Sequence, residues 1–270
     1  MIKLVNKFLG NFNIRLIKLM NIKELERNNN FLKNENDNLK KDFLFFQSDR
    51  FKNNLNKLTE TYNKSRSQLG QDLFVLNHFN FKKKGFFVEF GATNGIDLSN
   101  SYLLEKHFNW RGIVAEPCKT WHKDLFKNRN CNIDLNCVWK SSDSKLNFFE
   151  VEDAEFSTIA EFNNSDHNTE IRSKRKEYQV SSISLNDLLI KYNAPKEIDY
   201  LSVDTEGSEY EILKNFNFKE YSVKVITVEH NFSDMRNEIL KLLSKNGYKR
   251  VLTSISKWDD WYVLTNNNFS

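Results

Sequence analysis

Phe86-Phe87-Val88-Glu89-Phe90-Gly91-Ala92-Thr93-Asn94-Gly95 is the stretch that decides the fold. A short aromatic and β-branched run that stops at a glycine reads as a buried strand passing through a tight turn into a helix. Glycine at 91 and 95 lets the chain turn sharply and lets a ligand approach the backbone. The dinucleotide fingerprint G-x-G-x-x-G would need glycine at 93 and 96, where Thr93 and Ile96 stand, so an NAD site loses its main support. A carboxylate at Glu89, just before the turn, repels a pyrophosphate and attracts a cation or an amino group.

Working outward, further strands are expected at 112–116, 133–139, 198–204, 223–229, 248–253 and 258–264, and helices at 97–107, 119–128, 185–192, 208–216 and 233–246. Strand and helix alternate, which predicts a mostly parallel α/β sheet. The last two strands are joined by about four residues, too few for a parallel crossover, so they pair antiparallel or separate. The second strand ends in Glu116, 25 residues after Gly91, where a carboxylate can accept hydrogen bonds from ribose hydroxyls. The fourth and fifth strands end in Asp204-Thr205-Glu206-Gly207 and Glu229-His230-Asn231.

Four motifs together resemble the FkbM family of S-adenosylmethionine-dependent methyltransferases: Ser67-Gln68-x-Gly70-Gln71-Asp72, Val88-Glu89-Phe90-Gly91-Ala92-x-x-Gly95, Ile198-Asp199-Tyr200-Leu201-Ser202-Val203-Asp204-x-Glu206-Gly207-x-Glu209 and Val228-Glu229-His230-Asn231. The likeness covers roughly residues 67–264. It implies a Rossmann-like class I methyltransferase fold, a seven-stranded mostly parallel sheet with its last strand inserted antiparallel. It also implies O-methylation of a sugar or related hydroxyl with S-adenosyl-L-methionine as cofactor. The cofactor contacts implied are Glu89, Gly91, Ala92, Gly95, Glu116, Gln71 and Asp72. Thr93 replaces the middle glycine of the generic class I loop, and Gln71 stands where the family often has an acid.

Methyl transfer to an alcohol asks the protein mainly to position the acceptor and to take its proton. Ligands in open sheets gather beyond the carboxyl ends of the strands, which makes Asp204, Glu206 and His230 the expected catalytic residues, with His230 as base because imidazole titrates near neutrality. The alternative reading of Asp204 is a cap for the helix that follows, which would not require so acidic a cluster. His78, His107, His122 and His167 lack acidic company at strand ends. Asp204, Glu229 and Asn231 also form an oxygen set suited to Mg²⁺. The polar stretch 152–177, with Arg172, Lys174, Arg175 and Lys176, reads either as a surface insertion or as a lid whose basic run binds a phosphate or carboxylate of the acceptor. Trp258, Asp259, Asp260 and Trp261 are rim or packing residues.

The formal charge of +4 conceals two opposed halves. Residues 1–66 hold 14 Lys+Arg and 7 Asp+Glu (+7), whereas residues 67–270 hold 26 and 29 (−3). The acidic balance of the larger part offers no phosphate-binding surface and argues against nucleic acid as a partner. In the basic part, Ile22, Asn29, Asn36 and Phe43 recur seven apart, as do Leu25, Leu32, Leu39 and Phe46. This heptad pattern predicts a helical arm over 1–66 that forms a short parallel coiled coil and a homodimer, or else a single exposed helix, ahead of a methyltransferase domain over 67–270. Residues 1–20 combine apolar and basic side chains and are a weaker expectation for membrane-surface contact. Cys118, Cys131 and Cys137 form no C-x-x-C pair, and no run reaches the length of a membrane span, so a cytoplasmic protein is expected. Two other functions fit less well: a catalytically idle scaffold working through the arm, and a nucleotide-sugar or NAD-binding enzyme.

Overall fold

The computed structural model describes residues 32–33, 37, 40–42, 44–163 and 170–265. Most of the heptad positions (Ile22, Leu25, Asn29, Asn36, Leu39, Phe43), residues 1–20 and His167 lie outside them. From residue 44 onward the expected arm packs on the rest of the chain. Helix α1 (Asp49–Tyr62) is capped by Ser48, whose Oγ accepts from the Phe51 N–H at 3.3 Å. Its buried Asn54 donates to Asn77 Oδ1 at 3.1 Å on α2 (Gln71–His78). Phe45, Phe46 and Phe51 cluster edge-on, and Phe45 reaches Phe74, which stacks on Trp261 at 4.9 Å. Phe46, the described aromatic of the heptad, therefore packs within the chain's own aromatic cluster.

The expected strands form a seven-stranded sheet. Strands β1 (Phe86–Phe90), β2 (Arg111–Ala115) and β3 (Asn132–Asp134) run parallel on one side. On the other side β8 (Glu197–Val203) pairs parallel with β1, and β9 (Ser222–Glu229) with β8. Beyond them β11 (Asp259–Leu264) inserts between β9 and β10 (Tyr248–Val251), antiparallel to both. The order is β10-β11-β9-β8-β1-β2-β3. Of the two arrangements the short final connection allowed, antiparallel pairing or separation, the structure takes the antiparallel one, and β11 inserts as the family resemblance implied.

Alternation along β1 sends Val88 and Phe90 to one face and Phe87 to the other. The first face packs on α5 (Leu185–Lys191), α6 (Glu209–Lys214) and α7 (Met235–Lys245) through Leu188, Ile212 and Ile239. The second packs on α2, α3 (Tyr102–Phe108) and α4 (His122–Asn128) through Leu76, Leu104 and Leu125. Succession reverses between β1 and β8, the place where open sheets hold ligands.

A second sheet was not legible beforehand. The run 133–139 is not one strand: Asp134 Oδ1 accepts from the backbone and side-chain amides of Asn136 at 2.9 and 2.8 Å, and this turn ends β3. The chain then enters β4 (Cys137–Trp139), which joins β7 (Arg175–Ser184), β5 (Lys145–Val151) and β6 (Thr158–Ile159) in the order β4-β7-β5-β6. Part of the stretch 152–177 is therefore ordered sheet and 3₁₀ turns around a small core of Trp139, Phe148 and Val180. The helix expected over 97–107 begins only at Tyr102, because the polar groups at 94–101 bond elsewhere.

Gly91 sits at φ +69, and a Cβ built there would lie 2.3 Å from the Asp204 carbonyl oxygen. Gly70, at φ +80, would meet only Leu73 Cδ1 at 3.9 Å. Gly70→Ala should therefore lower stability by about 1–2 kcal/mol, the cost of the left-handed backbone. Gly91→Ala should cost clearly more in the same thermal melt, since β1 and β8 must also move apart; equal losses would mean that the close approach does not matter.

Candidate active site

A cleft of about 320 Å³ opens over the carboxyl ends of β2, β1, β8 and β9, and the segment from Ala154 to Ile159 of the second sheet forms its far wall. Its floor is the turn after β1, where Gly91 allows the contact with Asp204 described above. Thr93, at φ +45, turns its N–H onto Glu116 Oε2 at 2.9 Å, and the Cys118 N–H donates to Oε1 at 2.8 Å. The residue in place of the middle glycine thus fixes the carboxylate at the end of β2. Burial, helped by Asp204 and Glu89, raises the Glu116 pKa to about 7.

Glu89 borders the cleft, but its oxygens are already engaged. They accept from Ser99 Oγ at 2.9 Å, the Asn100 N–H at 2.5 Å and Ser101 Oγ at 2.5 Å, and Arg129 Nη1 lies 3.3 Å away. Gly95, also left-handed, leaves room for Arg129, whose Cγ would stand 2.7 Å from an added Cβ. Gln71 and Asp72, expected as cofactor contacts, do not reach the cleft wall. Gln71 Nε2 donates to Asp259 Oδ2 at 2.8 Å, and Asp72 Oδ1 accepts from Ser65 and Ser67 hydroxyls at 2.7 Å each, fixing the entry into α2. Gln71 thus ties the start of that helix to β11, and Asp72 ties it to the segment before it.

Asp204, Glu206, Glu229 and Asn231 do converge on the cleft. One oxygen from each of the three carboxylates lies within 4.8 Å of the others. Burial is the main reason that the Asp204 pKa rises to about 7, with Glu209, Glu89 and Glu155 adding to it and a hydrogen bond with Glu229 opposing it. Glu229 is pushed well above the usual carboxylate range by burial and then by the charge of Asp204. Two buried carboxyls this close favour holding one proton between them over carrying two adjacent charges. Glu206 is compensated differently, by Arg172 Nη2 at 2.8 Å. Glu209 is the cap of this turn: its Oε1 accepts from the Thr205 and Gly207 N–H groups at 2.9 and 3.0 Å, leaving Asp204 free for the cleft.

His230, expected as the base, faces away from the cleft. Successive strand residues point to opposite sides, so Glu229 on the cleft puts His230 behind it. Its Nδ1 accepts from the Phe232 N–H at 3.0 Å, and its Nε2 lies 3.7 Å from Asp260, which is held by Arg236 and Arg250. Burial first, then the two arginines, lowers its pKa to about 4, so the ring is neutral at pH 7. The basic run also differs from expectation. Arg172 is fully buried, donating to the Phe156 carbonyl at 2.9 Å as well as to Glu206, and Arg175 lies over the Phe149 ring. Arg172 is used to fasten the second sheet to the turn after β8.

Sequence reasoning missed Asn100, whereas the wall at 154–159 falls within the stretch 152–177 that reads as either a surface insertion or a lid. Asn100 lies inside the expected helix and on the cleft wall, its N–H on Glu89 and its Nδ2 donating to Ser202 Oγ at 3.0 Å. The one available signal was the polar run Ser99-Asn100-Ser101 on what should have been an apolar helix start. Trp258 reaches the cleft while Trp261 packs inside. Among the described residues, no helix is long and apolar enough to cross a membrane.

No curated protein matches the chain. Among solved structures it is similar to a precorrin-6y C5,15-methyltransferase from Geobacter metallireducens (12% identity, TM-score 0.39, 66% of this chain and 71% of that one). Methyltransferase FkbM from Methylobacillus flagellatus is similar at 11% identity and TM-score 0.43, over 79% of this chain and 59% of that one. A SAM-dependent methyltransferase from Aquifex aeolicus is similar at 10% identity and TM-score 0.36, over 78% and 98%. Residues 89–250, more than half of the chain, match the model of the methyltransferase FkbM domain, and they carry the glycine turn, Glu116 and the Asp204–Glu229 pair: the chain belongs to the FkbM family of methyltransferases.

Proposed function

We propose that the protein is an S-adenosylmethionine-dependent O-methyltransferase acting on a hydroxyl of a sugar or related polyol. The observation that carries this reading is the placement of two adjacent carboxyls, Asp204 and Glu229, across one cleft from a backbone-held carboxylate, Glu116. The residues fit the cofactor. Gly91 keeps the floor clear of side chain, Glu116 is aimed to accept from ribose hydroxyls, and Asn100 Oδ1 is a buried acceptor with no partner. S-adenosylmethionine, when bound, supplies an electrophilic methyl group on a sulfonium sulfur.

The chain's own task is to hold the acceptor oxygen and receive its proton. Because Asp204 and Glu229 share one proton, the pair retains a single negative charge that can take a second. A base titrating near 7 suits proton removal at neutral pH better than an ordinary carboxylate would. Trp121, Phe156 and Trp258 offer ring faces on the walls, and among the described residues no Lys, Arg or His lines the cleft. Those features favour a neutral polyol over a phosphorylated acceptor. Mg²⁺ is a second reading, favoured by the proximity of Asp204, Glu206 and Glu229, which would hold it with Asn231 at the rim. The Arg172 guanidinium already offsets part of that acidity, so we favour the metal-free reading.

S-Adenosylhomocysteine should stabilise the protein by about 2.7 kcal/mol at 100 times its dissociation constant, and NAD or UDP-sugars should not. Failure to shift the melt would remove the proposal. Asp204→Asn and Glu229→Gln should each lower turnover by about 10²–10⁴-fold while S-adenosylhomocysteine still binds. A raised pKa means that the pair is fully protonated below neutrality, so turnover should fall as the pH drops through about 7. A wild-type profile flat from pH 5 to 8 would rule the pair out as the base.

A further inference from the structure

Among the described residues, Asn100 Oδ1 is the one buried side-chain acceptor on the cleft wall that lacks a hydrogen-bond partner. The residue is 7% exposed. Its two donor groups are committed, the backbone N–H to Glu89 Oε1 at 2.5 Å and the side-chain NH₂ to Ser202 Oγ at 3.0 Å. Ser202 continues to Thr227 Oγ1 at 3.4 Å, and Thr227 to the Tyr200 hydroxyl at 2.8 Å, so the amide is braced from β8 and β9. A buried acceptor left without a donor costs about 1–3 kcal/mol, so the site is built for a donor.

The surroundings specify which donor. Asp204 and Glu229 stand on the same wall and make the potential there negative, favouring a cation over a neutral group. Glu89, which precedes the turn and would be the obvious partner for an amine, has its oxygens filled by Ser99, Asn100 and Ser101 and its charge offset by Arg129. A ligand whose ribose lies at Glu116, at the end of β2, extends across the end of β1 toward β8, where Asn100 meets Ser202.

We propose that Asn100 is a cofactor-positioning residue whose Oδ1 receives the ammonium group at the amino-acid end of S-adenosylmethionine. This rests on the cofactor reading above. The competing partner is a water in the adjoining space of about 10 Å³ between Asn100, Ser202, Asp204, Thr227 and Glu229.

Titration calorimetry separates the two. The probes are S-adenosylhomocysteine, its decarboxylated analogue (amine kept), its deaminated analogue (carboxylate kept) and 5′-methylthioadenosine (neither). Asn100→Leu should weaken the first two by about tenfold or more, the loss of a hydrogen bond to a charged group, and change the last two by less than about twofold. Equal weakening of all four, weakening that follows the carboxylate, or no weakening would overturn the assignment. If the variant does not fold, the wild-type protein decides: the decarboxylated analogue should bind more tightly than the deaminated one, and the reverse order or equality overturns it. If wild-type protein binds none of the four, the cofactor reading itself falls, and this assignment with it.

Discussion

Glu89 and Arg129 meet in the interior, 2% and 0% exposed at their side chains, and the geometry of the cleft depends on them. Each ion alone would be costly to bury, and a buried pair survives only where further hydrogen bonds complete it. Here Ser99, Asn100 and Ser101 complete the carboxylate, while Glu105 at 2.6 Å and Ser101 at 2.7 Å complete the guanidinium. The pair therefore draws the loop after the glycine turn, the helix α3 and the end of α4 to one point. It also raises the demand on local backbone: Gly95 has to be glycine because Arg129 occupies the space a Cβ would need.

Six carboxylates in and beneath the cleft are answered in three physically distinct ways. Glu89 and Glu206 are balanced by buried arginines. Glu209 and Glu116 are held by backbone N–H groups. Asp204 and Glu229 have neither, and burial leaves them to share a proton. That last solution is the one with chemical capacity, because a carboxyl pair whose affinity for protons is raised by burial can exchange one with a ligand, whereas an ion pair or a cap is closed.

Much of this was legible in residue order. The β1 run, its glycine turn, Glu116 and the carboxyl ends of β8 and β9 follow from apolar runs punctuated by glycine and acids, since a two-sided buried strand has a plain signature. Connection length left the last two strands either antiparallel or apart, and the antiparallel insertion came from the family resemblance. The second sheet was hidden because β5 and β7 mix polar with apolar residues over a core of only a few side chains, and because an Asx turn at Asp134 breaks what reads as one strand. His230 was misjudged through residue type: imidazole suits the chemistry, but strand alternation gives the cleft to Glu229.

By itself the sequence determined which strand ends carry carboxylates and where the backbone must be free of a Cβ, because both are properties of residue order and local sterics. Only the tertiary structure decided which of those carboxylates are neutralised by arginine, which by backbone and which by a proton, since that depends on partners such as Arg129 and Arg172 that arrive from distant parts of the chain. It likewise decided that Arg172 of the basic run would brace the turn after β8 and that Asn100 would present an unmet acceptor. Burial and the direction of each side chain are set by packing, and packing is not local.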